Sequence, residues 1–185
     1  MDWNLSAFQP LNAASVVLPA GANMDVTVSN VIVSTINARS VFFKMLSSAT
    51  HSIWAQTEEL GDPPSGGSLA QSWSIEAALT TAAKSGVQVQ LMLPPQNTGS
   101  AFIPDSSAAL ARLSGIPNLQ IKTGSQYYMH AKLLVIDQRI AFVGSENLAR
   151  ASLNYNREVG LLITSAGEVQ KLCATFLSDW SGAPR

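Results

Sequence analysis

The chain has 185 residues, the size of one ordinary domain, and this length is enough to bury a hydrophobic core. Hydrophobic residues make up 46% of the chain and charged residues 12%, a balance that excludes a disordered protein. The net charge of −1 lacks the basic excess of a dedicated nucleic-acid-binding protein. The single cysteine, Cys173, excludes an internal disulfide and a cysteine-based metal cluster.

The sequence carries no evident targeting or membrane-spanning segment. Residues 1–30 lack the charged and continuous apolar regions of a signal peptide, and no run of about 18 apolar residues occurs. If Met1 is the natural start, we expect a cytoplasmic or membrane-peripheral protein. Secretion stays open if the sequence is a fragment of a longer chain.

The first half of the chain predicts alternating helices and strands. Residues 1–34 indicate an irregular N-terminal segment or linker, because their β-branched residues follow no strict alternation. The domain proper is expected over residues 35–185. Its first predicted elements are a helix near 36–46, a strand over 52–57, a loop over 61–67, a helix from Ser72 to Lys84 and a strand over 87–93.

The second half continues the same alternation. Its predicted elements are a short helix from 105 or 106 to 115, strands over 119–122, 133–136, 140–143 and 158–163, and an amphipathic helix over 169–180. A tight turn is expected between the strands at 133–136 and 140–143. The pattern predicts an α/β fold in which helices cover a mixed central sheet.

Polar residues at predicted strand ends form the candidate site. In an extended segment His130 and Lys132 point to the same face, and an imidazole beside an ammonium group suits a phosphate ester. Asp137 follows at the predicted turn. Ser145 and Asn147 come after the next strand and offer neutral hydrogen-bond donors.

A further pair of polar residues, Asn156 and Glu158, opens the strand after that and shares one face. A carboxylate at this place could hold the imidazole by one nitrogen and free the other nitrogen for attack. Arg150 and Arg157 flank this region and are expected either to attract phosphate or to form surface ion pairs.

These residues carry a family resemblance. The stretch HAKLLVIDQRIAFVGSEN resembles the HxKxxxxD(x6)GSxN signature of the phospholipase D superfamily at every fixed position, and NREVGLLI resembles the Asn-x-Glu strand that follows it. The resemblance extends over roughly residues 35–181 and is strongest to bacterial cardiolipin synthase-like and phosphatidylserine synthase-like members. It implies a phospholipase D-like layered fold with one motif-bearing repeat.

The resemblance also implies an activity, namely a metal-independent phosphodiesterase that uses no cofactor and hydrolyses or transfers a phosphatidyl group. It implies that His130 is the nucleophile and forms a phosphohistidine. Lys132 and Asn147 are then expected to neutralise the phosphoryl oxygens, Ser145 to add a hydrogen bond, and Glu158 to orient the nucleophile.

Three other acidic residues are expected to have smaller roles. Asp137 belongs to the signature, but we expect it to be more structural than chemical, anchoring the turn or balancing the lysine charge. Glu58 and Glu59 end a predicted strand, where they are interpreted as a surface acidic pair in preference to a wall of a head-group pocket.

The mechanism implied by the family needs a second histidine as general acid, which the family takes from a second motif. The other histidine of this chain, His51, has no lysine two residues later and is interpreted as a solvated loop residue. A second motif-bearing copy must then come from an identical chain or from a missing half. The missing half is favoured by the resemblance of Asp2-Trp3 to Asp179-Trp180.

Three functions stay open on these grounds. In the preferred hypothesis the protein acts on a phospholipid or another phosphodiester, and it does so only when it is paired with a second motif-bearing copy. Nucleic acid remains open as a substrate, because the family that the chain resembles includes single-motif members of this size that are homodimeric, non-specific endonucleases. The third hypothesis is an isolated half that is inactive alone.

Overall fold

A seven-stranded mixed sheet forms the centre of the structure, in the order β1-β9-β7-β6-β2-β4-β5. The computed structural model describes residues 30–62, 74–96, 104–124 and 128–182. The strands are β1 (Val31–Val33), β2 (Ser52–Gln56), β3 (Leu60–Gly61), β4 (Gln88–Leu93), β5 (Leu119–Thr123), β6 (Leu133–Ile136), β7 (Ile140–Gly144), β8 (Leu148–Ala149) and β9 (Val159–Ile163). The two-residue strands β3 and β8 pair with each other in parallel.

Helices cover both faces of this sheet. They are α1 (Ala38–Ser48), α2 (Ile75–Lys84), α3 (Ser107–Leu113), α4 (Arg150–Asn154) and α5 (Ala166–Ser181). On one face Phe42 of α1 meets Phe142 of β7 edge-to-face, with ring centroids 4.7 Å apart. On the other face Phe176 of α5 stacks on Trp54 of β2 at 5.1 Å. The predicted α/β fold, a mixed sheet flanked by helices, is therefore confirmed.

Strand direction determines which segments meet. Strand β6 is antiparallel to both β2 and β7, and β7 is antiparallel to β9. The carboxyl ends of β2 and β7 and the amino ends of β6 and β9 therefore lie at the same edge of the sheet, which we call the site edge. The segments there are 57–59, 128–132, 144–147 and 156–158. The turn at 137–139 lies at the opposite edge.

The carboxyl end of α5 is fastened to the sheet through the Asp179-Trp180 pair. The Gln56 side-chain amide donates to the Asp179 carboxylate at 2.9 Å, and the Lys122 ammonium donates to the Trp180 carbonyl at 2.6 Å. The similar pair Asp2-Trp3 lies outside the described residues, as does most of the predicted loop over 61–67.

Some elements differ from the sequence prediction. Strands β3 and β8 and helix α4 were not predicted, because elements of two to five residues are too short to show a period. Helix α2 begins after Ser74, whose hydroxyl accepts from the Ala77 N–H at 3.1 Å, two residues later than expected. Strand β1 lies within the segment predicted as irregular and pairs with β9. In the described part of the chain no helix is long and apolar enough to cross a membrane.

Candidate active site

The imidazole and the ammonium of the motif lie together at the site edge, just before β6. Lys132 is buried, and its ammonium donates to the His130 carbonyl at 2.8 Å. The His130 side chain is 69% exposed. The lysine is therefore fixed by its surroundings, while the imidazole projects from the surface and is accessible to a ligand or to another chain.

A carboxylate from the end of β2 lies between these two groups. One oxygen of Glu58, Oε2, is 2.9 Å from Lys132 Nζ and 3.3 Å from His130 Nε2. Its other oxygen accepts from the Tyr128 hydroxyl at 2.8 Å, and the rings of Tyr128 and His130 stack with an interplanar angle of 26°. Burial raises the pKa of Glu58, but hydrogen bonds from Lys132 and Tyr128 outweigh it and leave the pKa below its usual value. Glu58 is therefore an anion.

The backbone around Glu58 is held by Asn147. The Asn147 side-chain oxygen accepts from the backbone N–H groups of Glu58 and Glu59 at 3.1 and 3.2 Å. Leu148 N–H donates to the Thr57 hydroxyl at 3.1 Å, and the paired strands β3 and β8 begin immediately afterwards. Because two backbone N–H groups donate to it, this end of the Asn147 amide must be the oxygen and not the nitrogen, and the plane of the amide is fixed.

The remaining predicted residues connect the end of β7 to the start of β9. The Ser145 hydroxyl accepts from Val159 N–H at 3.1 Å. One oxygen of Glu158 accepts from Asn156 at 3.3 Å and from Ser152 at 3.4 Å. In the described part of the chain, the carboxylate in contact with the His130 imidazole is that of Glu58.

A buried carboxyl group, that of Glu146, lies in this connection. Among the described residues, neither of its oxygens has a donor with good hydrogen-bond geometry. Burial is the largest cause that raises the pKa of Glu146; the backbone N–H groups of Glu146 and Ser145 act to lower it, but burial and the charge of Glu158 outweigh them. The group packs over two facing glycines, since a Cβ on Gly144 would lie 2.6 Å from Glu146 Oε2 and a Cβ on Gly160 would lie 2.9 Å from the same oxygen. These glycines leave the space that the buried carboxyl group fills.

Asp137 is at the opposite edge of the sheet, separated from Lys132 by the whole of β6, roughly 16 Å of extended chain. Its carboxylate accepts from the backbone N–H groups of Thr50, His51 and Ser52 at 2.8–2.9 Å and from the Thr50 hydroxyl at 2.7 Å. Although burial acts to raise the pKa of Asp137, these hydrogen bonds lower it to about 2. The exposed His51 is at this same distant edge, as its interpretation as a loop residue requires.

The two arginines that flank the site form contacts away from the motif. The Arg150 guanidinium is 3.6 Å from the buried Asp62 carboxylate, and that of Arg157 donates to the Ser34 carbonyl at 3.4 Å. Among the residues that the structure describes, no group of three or more His, Cys, Asp or Glu side chains could hold a metal ion.

The arrangement suits displacement at phosphorus. It combines an exposed imidazole, a group capable of nucleophilic attack, with a buried ammonium two residues away, and the same site edge carries an amide whose orientation is fixed. The sequence favoured a surface position for Glu58 and left open whether Tyr128 lines the entrance of the site or continues a strand. Glu58 lies 74 residues before Lys132, and only the pairing of β2 with β6 brings the two together.

Comparisons with known proteins show the family of the chain. A family model described as cardiolipin synthase, PLD-like domain, matches residues 42–180. The probable cardiolipin synthase YwiE of Bacillus subtilis is 30% identical over 139 residues, which are 75% of this chain and 26% of the relative. The chain thus spans about a quarter of the length of the curated relatives it matches.

Two solved structures share the fold. NucT from Helicobacter pylori matches with a TM-score of 0.66 at 19% identity, and the phospholipase D family member Nuc from Salmonella typhimurium matches with a TM-score of 0.66 at 22% identity. Each match covers 82% of this chain and 94% of the other. A chain with one such domain is therefore a known form of the fold.

Proposed function

Since the chain belongs to the phospholipase D superfamily, through the PLD-like domain of cardiolipin synthase, we propose that it is a phosphodiesterase that hydrolyses or transfers a phosphatidyl group. The observation that carries this proposal is the cluster of His130, Lys132 and Glu58. An imidazole and an ammonium share one carboxylate oxygen at 3.3 and 2.9 Å, so a phosphoryl oxygen could contact the same two groups.

In the first step His130 attacks phosphorus, a nitrogen–phosphorus bond forms, and the bond from phosphorus to the head-group oxygen breaks. The departing oxygen takes a proton from a general acid. Lys132 and the free N–H groups of the Asn147 amide stabilise the charge on the phosphoryl oxygens. In the second step the oxygen of water or an alcohol attacks phosphorus and gives its proton to the same group, which now acts as a base. The nitrogen–phosphorus bond breaks and releases His130, which gives hydrolysis or transfer.

Three residues that connect the end of β7 to the start of β9 act as positioning residues, namely Ser145, Asn156 and Glu158. Glu158 can orient His130 only after the imidazole ring turns away from Glu58. The exposure of the His130 ring, 69%, leaves room for this rotation. Asp137 acts at the other edge of the sheet, where it joins the β6–β7 turn to the segment before β2.

The general acid comes from a second motif, supplied by a second copy of the chain or by another half of a longer protein. The exposure of His130 supports this pairing, because a nucleophile on an open edge can be covered by a second, similar edge. We place the paired protein at a membrane surface, where its lipid substrate is located.

Endonuclease activity is the second candidate. Its support is the fold shared with Nuc, a phospholipase D family member whose chain is covered over 94% of its length. An isolated half without activity is the third candidate, and a strictly monomeric protein in light scattering would favour it.

The test is to trap the intermediate with phosphatidylglycerol or phosphatidylcholine vesicles labelled with radioactive phosphorus. We expect label on the full-length protein after denaturation at alkaline pH, release of the head group, and neither result with His130→Asn. Absence of label and of head-group release, together with metal-independent cleavage of DNA, would refute the lipid function and establish the nuclease.

A further inference from the structure

The position of the Glu58 carboxylate suggests what the site selects. Its Oε2 atom contacts Lys132 and His130, which are the two groups that a phosphoryl oxygen needs, and its Oε1 atom accepts from Tyr128. Carboxylate and phosphoryl oxygens accept from the same donors with similar geometry. The Glu58 carboxylate therefore occupies a position that would suit a phosphoryl group.

The carboxylate can turn aside but cannot leave the site. The backbone at Glu58 and Glu59 is held by the Asn147 amide, and β3 continues directly into its pairing with β8. Rotation about the side-chain bonds of Glu58 would free the Lys132 donor that this carboxylate occupies. After that rotation the negative charge remains next to the bound phosphodiester.

We propose that Glu58 is a specificity-determining residue, which makes the site accept an isolated phosphodiester and reject a substrate with several neighbouring negative charges. This inference rests on the proposed function, whose substrate class it narrows to lipids with a cationic or neutral head group. A single phosphodiester displaces Glu58 from Lys132 and meets one like charge. A nucleic-acid strand brings further phosphates close to the Glu58 carboxylate, which repels them, whereas a cationic head group is attracted to that carboxylate.

The charges around the site act in the same direction. Glu59 is next to Glu58, and Glu158 opens the neighbouring strand at the site edge. The flanking arginines Arg150 and Arg157 contact Asp62 and the Ser34 carbonyl. Carboxylates thus recur in the segments of the site edge, with that of Glu58 in contact with Lys132, which is unlike the basic groove that tracks a nucleic-acid backbone.

The test is a set of dissociation constants for the full chain and for Glu58→Gln. The probes are glycerophosphocholine, glycerophosphoglycerol and decathymidylate, which carry zero, one and many net negative charges. We expect Glu58→Gln to lower the dissociation constant of decathymidylate more than that of glycerophosphocholine, and the two fold-changes should differ by a factor on the order of ten. The fold-change for glycerophosphoglycerol should lie between them. Raising the ionic strength should shrink this difference.

Two variants serve as controls. Glu168→Gln removes one negative charge from an exposed i,i+3 pair on α5 and should leave all three affinities unchanged. Glu58→Asp keeps the charge and should keep the order of affinities. Equal gains for the three probes with Glu58→Gln would mean that Glu58 merely occludes the site, and equal losses would mean that it orients His130. Either result overturns the inference.

Turnover of phosphatidylcholine vesicles by the same proteins separates the inference from the proposed function. Absence of turnover in every protein, together with a charge-graded gain in binding, contradicts the proposed function alone. Turnover without a graded gain contradicts the inference alone.

Discussion

A hydrogen-bonded carboxylate side chain lies at each end of strand β6. The comparison between the two distinguishes a structural residue from a site residue. At the turn, Asp137 accepts from three backbone N–H groups and one hydroxyl. At the site edge, Glu58 contacts the side chains of Lys132, His130 and Tyr128. Backbone donors cannot move without unfolding, whereas side-chain donors can be taken over by a ligand. The same chemical group therefore stabilises the fold at one end and competes with substrate at the other.

The largest expected effect is on activity at the site edge. His130→Asn should lower kcat/KM for phosphatidyl hydrolysis by at least about a thousandfold, because it removes the nucleophile. The urea midpoint should be unchanged, since the side chain is 69% exposed. Head-group release and urea unfolding, followed on the same preparation, measure the two quantities. Retained activity would show that another residue attacks phosphorus.

The next effect is on stability, at the other end of β6. Asp137→Asn should lower the free energy of unfolding by about 2 kcal/mol at pH 7, which is the value of a pKa lowered from 3.8 to about 2. The activity of the folded variant should match the wild type, because the site is at the opposite edge. Asp105→Asn is the matched control, because it makes the same change at an exposed carboxylate that accepts from the N–H of Ser107, the first residue of α3. A large loss of kcat with unchanged stability would contradict the structural role.

The pH dependence of that loss follows from the sign of the shift. The pKa of Asp137 is lower in the folded protein, so its stabilisation is present above about pH 4 and disappears as the pH falls towards 2. Wild type and Asp137→Asn should therefore converge in stability below pH 2. Urea unfolding at a series of pH values measures the difference, and a constant gap across this range would contradict the assignment.

The sequence predicted the motif side of this comparison better than the rest. His130, Lys132 and Asn147 lie within 18 positions of one another, and a single hairpin, β6–β7, holds them together. The apolar runs on both sides of Asp137 were enough to predict this hairpin. The turn type was not predicted, because positive φ angles of 51° and 54° fall on Asp137 and Gln138, where glycine or asparagine is usual.

What the sequence could not supply is contact between distant segments. Glu58 was interpreted as a surface residue because nothing in its neighbourhood indicates the register in which Gln56 pairs with Leu133. The same limit explains Glu146, which occupies an unspecified position of the GSxN segment. Its burial depends on two glycines 16 residues apart, Gly144 and Gly160, facing each other in β7 and β9.

The smallest expected effect concerns Glu146 and has the opposite pH sign to that of Asp137. Burial raises the pKa of Glu146 in the folded protein, so its contribution to stability is present below its ordinary value of 4.5 and is lost as the pH rises through the raised value. Glu146→Gln keeps the shape without a titratable proton. It should equal the wild type near pH 4 and exceed it by about 1 kcal/mol at pH 8. The exposed Glu168→Gln should show no such trend. A Glu146→Gln variant that is less stable than the wild type at pH 8 would mean that the buried carboxylate is stabilised as an anion, which contradicts this assignment.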